Sequence, residues 1–176
     1  MKTAAPLLLV DGYNIIGHWT DLQYVRDQFG LELARQELVE ALINYSSHQG
    51  YQTQVVFDAQ LRRQPASEET PCPHLTVRFT DWSQTADTYI EKYCARFFRQ
   101  GGASRLIVAT SDRAQQLTVL GYGAEWMSAP SLVQAMATSQ TQVRKVPKKQ
   151  NQRPGTSLAR GLDPQVREKL QKLRLG

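Results

Sequence analysis

The chain contains few cysteines and few histidines, which narrows the kinds of site it can form. Its 176 residues include two cysteines, Cys72 and Cys94, and three histidines. The two cysteines lie far apart in sequence and form no C-x-x-C pair, so we expect neither a disulfide framework nor a zinc site. Two isolated reduced thiols are typical of a cytoplasmic protein, and that is the location we expect.

Long hydrophobic runs are missing as well. The apolar stretch near the N-terminus ends at Asp11 without the small residues of a cleavage site, so the sequence does not predict a secretory signal. No other stretch approaches the roughly 20 apolar residues that a membrane-spanning helix needs. We therefore expect no membrane segment.

Several motifs of nucleotide-binding and hydrolytic proteins are absent. The chain contains neither G-x-G-x-x-G nor a P-loop, and its histidines show no pairing with a nucleophile pattern. Tyr13 stands two residues after Asp11, where an aspartyl-phosphate phosphatase would carry a second Asp. Dinucleotide binding, Ser/His/Asp hydrolysis and aspartyl-phosphate chemistry are therefore not predicted.

Short apolar runs alternate with helical patterns along most of the chain. Strands are predicted at 7–11, 53–58, 75–79, 106–109 and 125–127. Helices are predicted at 31–45, 85–97, 114–120 and 131–140. The stretches 17–30 and 59–73 lack a clear period and are expected to be loops. This order of elements indicates β-α-β units with a parallel sheet in one α/β domain.

Acidic residues follow the predicted strands. Asp11 ends the first apolar run, Asp58 and Asp112 follow two others, and Asp87 falls in the first turn of a helix. The carboxyl ends of parallel strands meet at one edge of a sheet, so we expect these acids to converge. Carboxylates held close together repel and usually bind a divalent cation. Oxygen ligands without His or Cys favour Mg²⁺ or Mn²⁺, and the typical chemistry is phosphoryl or phosphodiester transfer.

Polar residues near these acids are candidates for supporting roles. Asn14 can orient a carboxylate or a water, Thr110 and Ser111 can hold a water or a phosphate oxygen, and Glu91 shares a helix face with Asp87. Each has a simpler alternative as a turn residue. Asp58 and Asp112 have the alternative of capping the helix that follows.

The charge of the chain is distributed unevenly. The net charge is +5, but residues 141–176 carry +8 whereas residues 1–140 carry −3. We therefore divide the chain into a folded domain at 1–142 and, at 143–176, a basic linker with a short C-terminal helix. Such a segment is typical of polyanion binding, although the helix could instead dock on the domain with its charges in solvent. The residues assigned to polyanion contacts are Arg62, Arg63, Arg144, Lys145, Lys148, Lys149 and Arg153.

Four ordered motifs carry a resemblance to a known family. They are Leu-Val-Asp-Gly-Tyr-Asn-Ile-Ile at 9–16, Val-Val-Phe-Asp-Ala at 55–59, Thr-Ala-Asp-Thr-Tyr-Ile-Glu at 85–91 and Val-Ala-Thr-Ser-Asp at 108–112. Over about residues 5–140 the chain resembles the YacP branch of the NYN domains, which belong to the PIN-like nucleases. One departure is the segment 60–63, where the family often carries a His and a Gly.

The resemblance implies a three-layer α/β/α fold with a central parallel sheet and metal-dependent endoribonuclease activity. The family's acids match Asp11, Asp87 and Asp112. We therefore interpret Asp11 and Asp112 as metal ligands, Asp87 as the acid that completes the site, and Asn14 as a further catalytic residue. The expected partner is RNA, in mRNA or ribosome-associated RNA decay or processing. Two alternatives stay open: a non-catalytic module that binds RNA or the ribosome, and a hydrolase of small phosphoesters.

Overall fold

The computed structural model describes residues 4–59, 65–101 and 104–145. Within them, one sheet contains β1 (Leu7–Asp11), β2 (Gln52–Phe57), β3 (Ser67–Cys72), β4 (Leu75–Phe79), β5 (Leu106–Ala109) and β6 (Glu125–Met127). The helices are α1 (Gly12–His18), α2 (Thr20–Phe29), α3 (Leu31–Gln49), α4 (Ala86–Arg99), α5 (Arg113–Tyr122) and α6 (Ala129–Lys145). None of the helices in these ranges combines the length and the apolar character needed to cross a membrane.

Strand β1 lies in the middle of the sheet. The strand order is β3-β4-β2-β1-β5-β6, and β1 pairs in parallel with both β2 and β5. Leu8 and Val10 pack into the hydrophobic core on one face, and Leu9 packs into a second core on the other. The apolar run predicted a strand buried on both faces, and the structure confirms it.

Helices cover both faces of the sheet. Residues of α1, α3 and α6 join the core around Leu8, whereas residues of α4 and α5 join the core around Leu9. The expected three-layer α/β/α fold is confirmed. After β1 the chain continues into α1 on the face that includes Leu8, and after β5 it continues into α5 on the face that includes Leu9. A crevice therefore opens between the carboxyl ends of these two neighbouring strands.

The stretch 17–30 is helical, so the prediction of a loop was wrong. Helix α1 begins directly after β1, with Asp11 as its N-cap, and α2 follows after a single residue. Leu22 is the buried residue of α2, whereas Tyr24 and Phe29 are largely exposed. Because the aromatic residues point to solvent, the apolar pattern gave no sign of a helix.

The prediction of a loop was also wrong for Ser67–Cys72, which forms β3. This strand pairs antiparallel with β4 at the edge of an otherwise parallel sheet, with an irregular register between Glu69 and Cys72. Five of its six residues are exposed, so it shows no alternation of apolar and polar positions. Glu68 accepts a hydrogen bond from Arg78 of β4 at 3.2 Å. Residues 60–64 lie outside the described residues.

Two predicted helices are present but differ in detail. The apolar stripe assigned to α5 was wrong, because Leu117 and Leu120 are exposed while Gln115 and Val119 are buried. Helix α6 continues to Lys145, past the limit predicted between residues 142 and 143. The predicted linker and C-terminal helix lie outside the described residues from 146 onward, and the domain division stays a prediction.

The close approach of α1 to the sheet generates the first testable prediction. A Cβ atom added at Gly12 would overlap the ring of Phe57, a fully buried side chain. We expect Gly12→Ala to lower the free energy of unfolding by about 1–3 kcal/mol, the usual range for overpacking a core. Urea denaturation of both proteins measures the change.

Gly17 provides the matched control in the same helix. No atom lies within 4 Å of a Cβ added there, and the residue is exposed. Gly17→Ala should hold or raise stability, because Ala is favoured over Gly within helices by roughly 0.5–1 kcal/mol. Equal effects of the two substitutions would contradict the close packing of Gly12 on Phe57.

Candidate functional site

The four predicted acids line one cavity at the carboxyl edge of the sheet. Its volume is about 570 Å³. The residues that line it are Asp11, Tyr13, Asn14, Asp58, Thr85, Ala86, Asp87 and Asp112. The structure therefore brings together the carboxylates that the sequence places after β1, β2 and β5 and at the start of α4.

Asp11 is the most buried of these acids, with 7% of its surface exposed. As the N-cap of α1, its carboxylate accepts a hydrogen bond from the backbone N–H of Asn14 at 3.3 Å. Burial raises the pKa of Asp11 to about 7; the Asn14 hydrogen bond opposes the shift, and repulsion from Asp87, Asp112 and Asp58 adds to it. A protonated or cation-bound carboxyl is therefore favoured at this position.

Asp87 lies in the first turn of α4. Thr85 caps this helix by accepting the N–H of Thr88 at 3.1 Å, as the sequence allowed. The side chain of Gln115 donates a hydrogen bond to Asp87 Oδ1 at 2.6 Å. The pKa of Asp87 is raised by partial burial and by repulsion from Asp112 and Asp58.

Asp58 and Asp112 each accept a hydrogen bond from a backbone N–H at the start of a helix. Asp58 follows β2, and its carboxylate accepts the N–H of Ala86 at 3.3 Å. Asp112 is the N-cap of α5 and accepts the N–H of Gln115 at 2.9 Å. The capping role considered for Asp112 is thus present, and it is compatible with a carboxylate that also lines the cavity.

Asn14 connects the ends of two neighbouring strands. Its Oδ1 atom accepts the backbone N–H of Ser111 at 2.7 Å, which links the start of α1 to the loop after β5. Asn14 lines the cavity, but the hydrogen bond of its side chain orients this loop rather than a carboxylate. Its catalytic role stays a prediction.

Three residues predicted to support the site do not line this cavity. Ser111 Oγ accepts the N–H of Ala129 at the start of α6 at 3.0 Å. Thr110 is fully buried, and its hydroxyl accepts the N–H of Asp112 at 3.1 Å. Glu91 lines a smaller neighbouring cavity and accepts a hydrogen bond from the Tyr122 hydroxyl at 3.3 Å. Thr110 and Ser111 therefore stabilise the loop that carries Asp112.

The basic residues assigned to polyanion contacts were not tested. Arg144 and Lys145 belong to α6, where the described side chains end at Ser139. The others lie outside the described residues, namely Arg62, Arg63, Lys148, Lys149 and Arg153. Their roles stay predictions.

Tyr13 and Gln115 were missed as site residues. The Tyr13 ring packs on Phe57 with centroids 5.2 Å apart, and its hydroxyl accepts a hydrogen bond from the buried Arg35 at 2.9 Å. Tyr13 lies two residues after Asp11, and this proximity could have indicated it as a site residue. No sequence pattern indicated Gln115, because the apolar stripe predicted for α5 placed this residue on the face expected to be exposed.

The donor set fits a hard divalent cation. No three acidic, His or Cys side chains of the described residues come close enough to form a complete ligand cluster. Mg²⁺ does not need one, because it usually keeps several waters and binds through one or two carboxylates. The cavity offers carboxylate and amide oxygens, and burial of Asp11 favours a neutralising partner. These residues suit Mg²⁺ or Mn²⁺ better than Zn²⁺.

The shifted pKa of Asp11 predicts how stability depends on pH. Between pH 4 and 7 the folded state of the metal-free protein binds more protons at Asp11 than the unfolded state does, so stability should fall as pH rises. One pKa unit corresponds to about 1.4 kcal/mol, so the loss from Asp11 should be roughly 2–4 kcal/mol. Asp11→Asn should remove this component, measured by thermal denaturation in EDTA from pH 4 to 8.

Asp21 on α2 provides the control, because it is exposed and does not line the cavity. Asp21→Asn should leave the pH dependence of the melting temperature unchanged. If Asp11→Asn and the unsubstituted protein show the same pH dependence, the buried carboxyl of Asp11 does not control stability in this range.

Comparison with known proteins identifies the family. A model described as the YacP-like NYN domain matches residues 8–175. The uncharacterized protein YacP of Bacillus subtilis strain 168 is 34% identical over 171 residues, which is 97% of each chain. The crystal structure of Rae1 (YacP) from Bacillus subtilis matches with a TM-score of 0.64 at 32% identity, over 97% of this chain and 95% of that one.

A crystal structure of a mutant of that protein gives a similar result. Its TM-score is 0.65 at 33% identity, and the match covers 78% of each chain. The structural matches confirm the α/β fold, and the sequence match confirms the resemblance carried by the four motifs. The chain therefore belongs to the YacP-like NYN domain family, part of the PIN-like nucleases.

Proposed function

We propose that the protein is a metal-dependent endoribonuclease that hydrolyses phosphodiester bonds in RNA. The observation that carries the proposal is the convergence of four carboxylates on one cavity, with the pKa of Asp11 raised to about 7. Titratable groups perturbed in this way are concentrated at functional sites. Membership of a nuclease family supports the same reaction class.

Asp11, Asp87 and Asp112 would hold Mg²⁺ or Mn²⁺, directly or through waters that the ion keeps. When bound, the ion supplies positive charge that stabilises the reacting phosphate and makes water a stronger nucleophile. Asp58 adds a fourth carboxyl group to the cavity and accepts a hydrogen bond from the N–H of Ala86 at the start of α4. Because no Lys or Arg is among the described residues that line this cavity, its carboxylates repel an RNA phosphate until a cation is present.

The main test is cleavage of a labelled single-stranded RNA. With Mn²⁺, Asp11→Asn and Asp87→Asn should each reduce the rate about 100-fold or more, since metal-assisted stabilisation amounts to several kcal/mol and about 1.4 kcal/mol is a factor of ten. Asp21→Asn is again the control and should cleave at the normal rate. Circular dichroism checks that all variants are folded.

The metal dependence is measured in the same assay. EDTA should abolish cleavage, Mg²⁺ or Mn²⁺ should restore it, and Zn²⁺ should substitute poorly at a site of oxygen donors. Full activity in EDTA, or a normal rate for Asp11→Asn, would contradict the proposal. RNA binding without cleavage would favour the non-catalytic module, and hydrolysis of mononucleotides alone would favour the small-phosphoester hydrolase.

We further propose that the basic C-terminal segment contributes RNA affinity, including affinity for RNA on the ribosome. Helix α6 continues to Lys145, so a truncation should remove residues 146–176 rather than begin at Val143. Each phosphate contact to single-stranded RNA contributes a slope of about −0.7 to the dependence of log affinity on log salt. The truncated protein should show weaker binding and a shallower slope, with its rate at saturating RNA preserved.

Fluorescence anisotropy at several salt concentrations measures both slopes. A variant in which Lys148, Lys149 and Arg153 are replaced by Gln is the matched control, because it changes charge without shortening the chain. Equal slopes combined with a lower melting temperature of the truncated protein would assign the segment to stability and not to RNA binding.

A further inference from the structure

Gln115 of α5 contacts two of the cavity's acids at once. Its backbone N–H donates to Asp112 Oδ1 at 2.9 Å, and its side-chain Nε2 donates to Asp87 Oδ1 at 2.6 Å. The residue is 6% exposed, whereas Asp87 and Asp112 are both exposed. A buried residue therefore fixes two solvent-facing carboxylates that come from different helices.

The other end of the Gln115 amide has no partner among the described residues. A carboxylate can only accept hydrogen bonds, so the Nε2 atom of Gln115 faces Asp87. The Oε1 atom of the same amide is then left buried without a hydrogen bond. A buried unsatisfied polar group of this kind destabilises a fold. Packing alone would favour an apolar side chain of similar size at this position.

Gln115 also lines a second cavity that adjoins the first. This second cavity, of about 190 Å³, shares Asp87 and Asp112 with the first and is further lined by Glu91, Gln115 and Thr118, among others. Both shared acids thus have open space on two sides. The side-chain hydrogen bond from Gln115 Nε2 ties Asp87 of α4 to α5 across this space.

We propose that Gln115 is a positioning residue that sets the orientation of Asp87 relative to Asp112, and thereby the affinity of the cavity for a divalent cation. The inference rests on the proposed function for its biological meaning, but cation binding can be measured without RNA. The contact with Asp112 comes from the backbone and persists in any variant. A side-chain substitution therefore removes the contact with Asp87 alone.

The experiment measures Mn²⁺ affinity of the full chain by water proton relaxation. Gln115→Met, which keeps the volume and removes the donor, should weaken Mn²⁺ binding about 10–100-fold, the usual effect of losing a partner that orients a ligand. Its melting temperature should hold or rise, because the unpaired Oε1 is removed. Gln116→Met, the same substitution at the next residue of α5, should leave Mn²⁺ affinity unchanged, since Gln116 lines neither cavity.

A double-mutant cycle separates positioning from a general structural effect. If Gln115 acts through Asp87, then Gln115→Met should not weaken Mn²⁺ binding further in an Asp87→Asn background. Unchanged affinity in folded Gln115→Met, additive losses in the cycle, or no Mn²⁺ binding by the unsubstituted protein would each overturn the inference. Mn²⁺ binding that depends on Gln115 without RNA cleavage would overturn the proposed function and leave this inference standing.

Discussion

The burial of the Asp11 carboxyl is the constraint on which the rest of the site depends. Strand β1 is paired on both edges and covered on both faces, so the residue at its carboxyl end cannot reach bulk water easily. Gly12 packs so closely on Phe57 that a Cβ atom at this position would overlap the ring. A carboxyl in this position is stabilised when it is protonated or bound to a cation, and the fold surrounds it with three more acids instead of a base.

Hydrogen bonds from three helices oppose the mutual repulsion of these acids. Two carboxylates about 4 Å apart at the protein surface repel by roughly 4 kcal/mol, while one hydrogen bond to a charged group contributes about 1.5–3 kcal/mol. One such bond offsets only part of a repulsion of this size, and each of the four acids accepts a hydrogen bond of its own. Asn14, Ala86 and Gln115 each donate from a helix start, where backbone N–H groups are otherwise unpaired. The scaffold therefore holds four carboxyl groups beside one cavity.

The strands predicted most directly from the sequence are those in which nearly every residue is buried. All of β5 and all but the first residue of β1 are buried, so both appear as uninterrupted apolar runs, and Asp11 and Asp112 follow from where these runs end. Strand β3 and helix α2 were missed because most of their residues are exposed, and a mostly exposed element has only a weak apolar period. The contact of Gln115 with Asp87 spans 28 residues and depends on how α4 meets α5, which no local pattern encodes.

The charge of the chain is separated between residues 1–140, which include the cavity, and residues 141–176. A Lys or Arg beside Asp11 would pair with the carboxylate and compete with a cation for it. The described residues that line the cavity include neither, and the net charge of residues 1–140 is −3. The net positive charge of the chain lies instead in residues 141–176, which carry +8. In the proposed function this separation would leave the acids available for a cation, while the basic segment would supply long-range attraction for RNA.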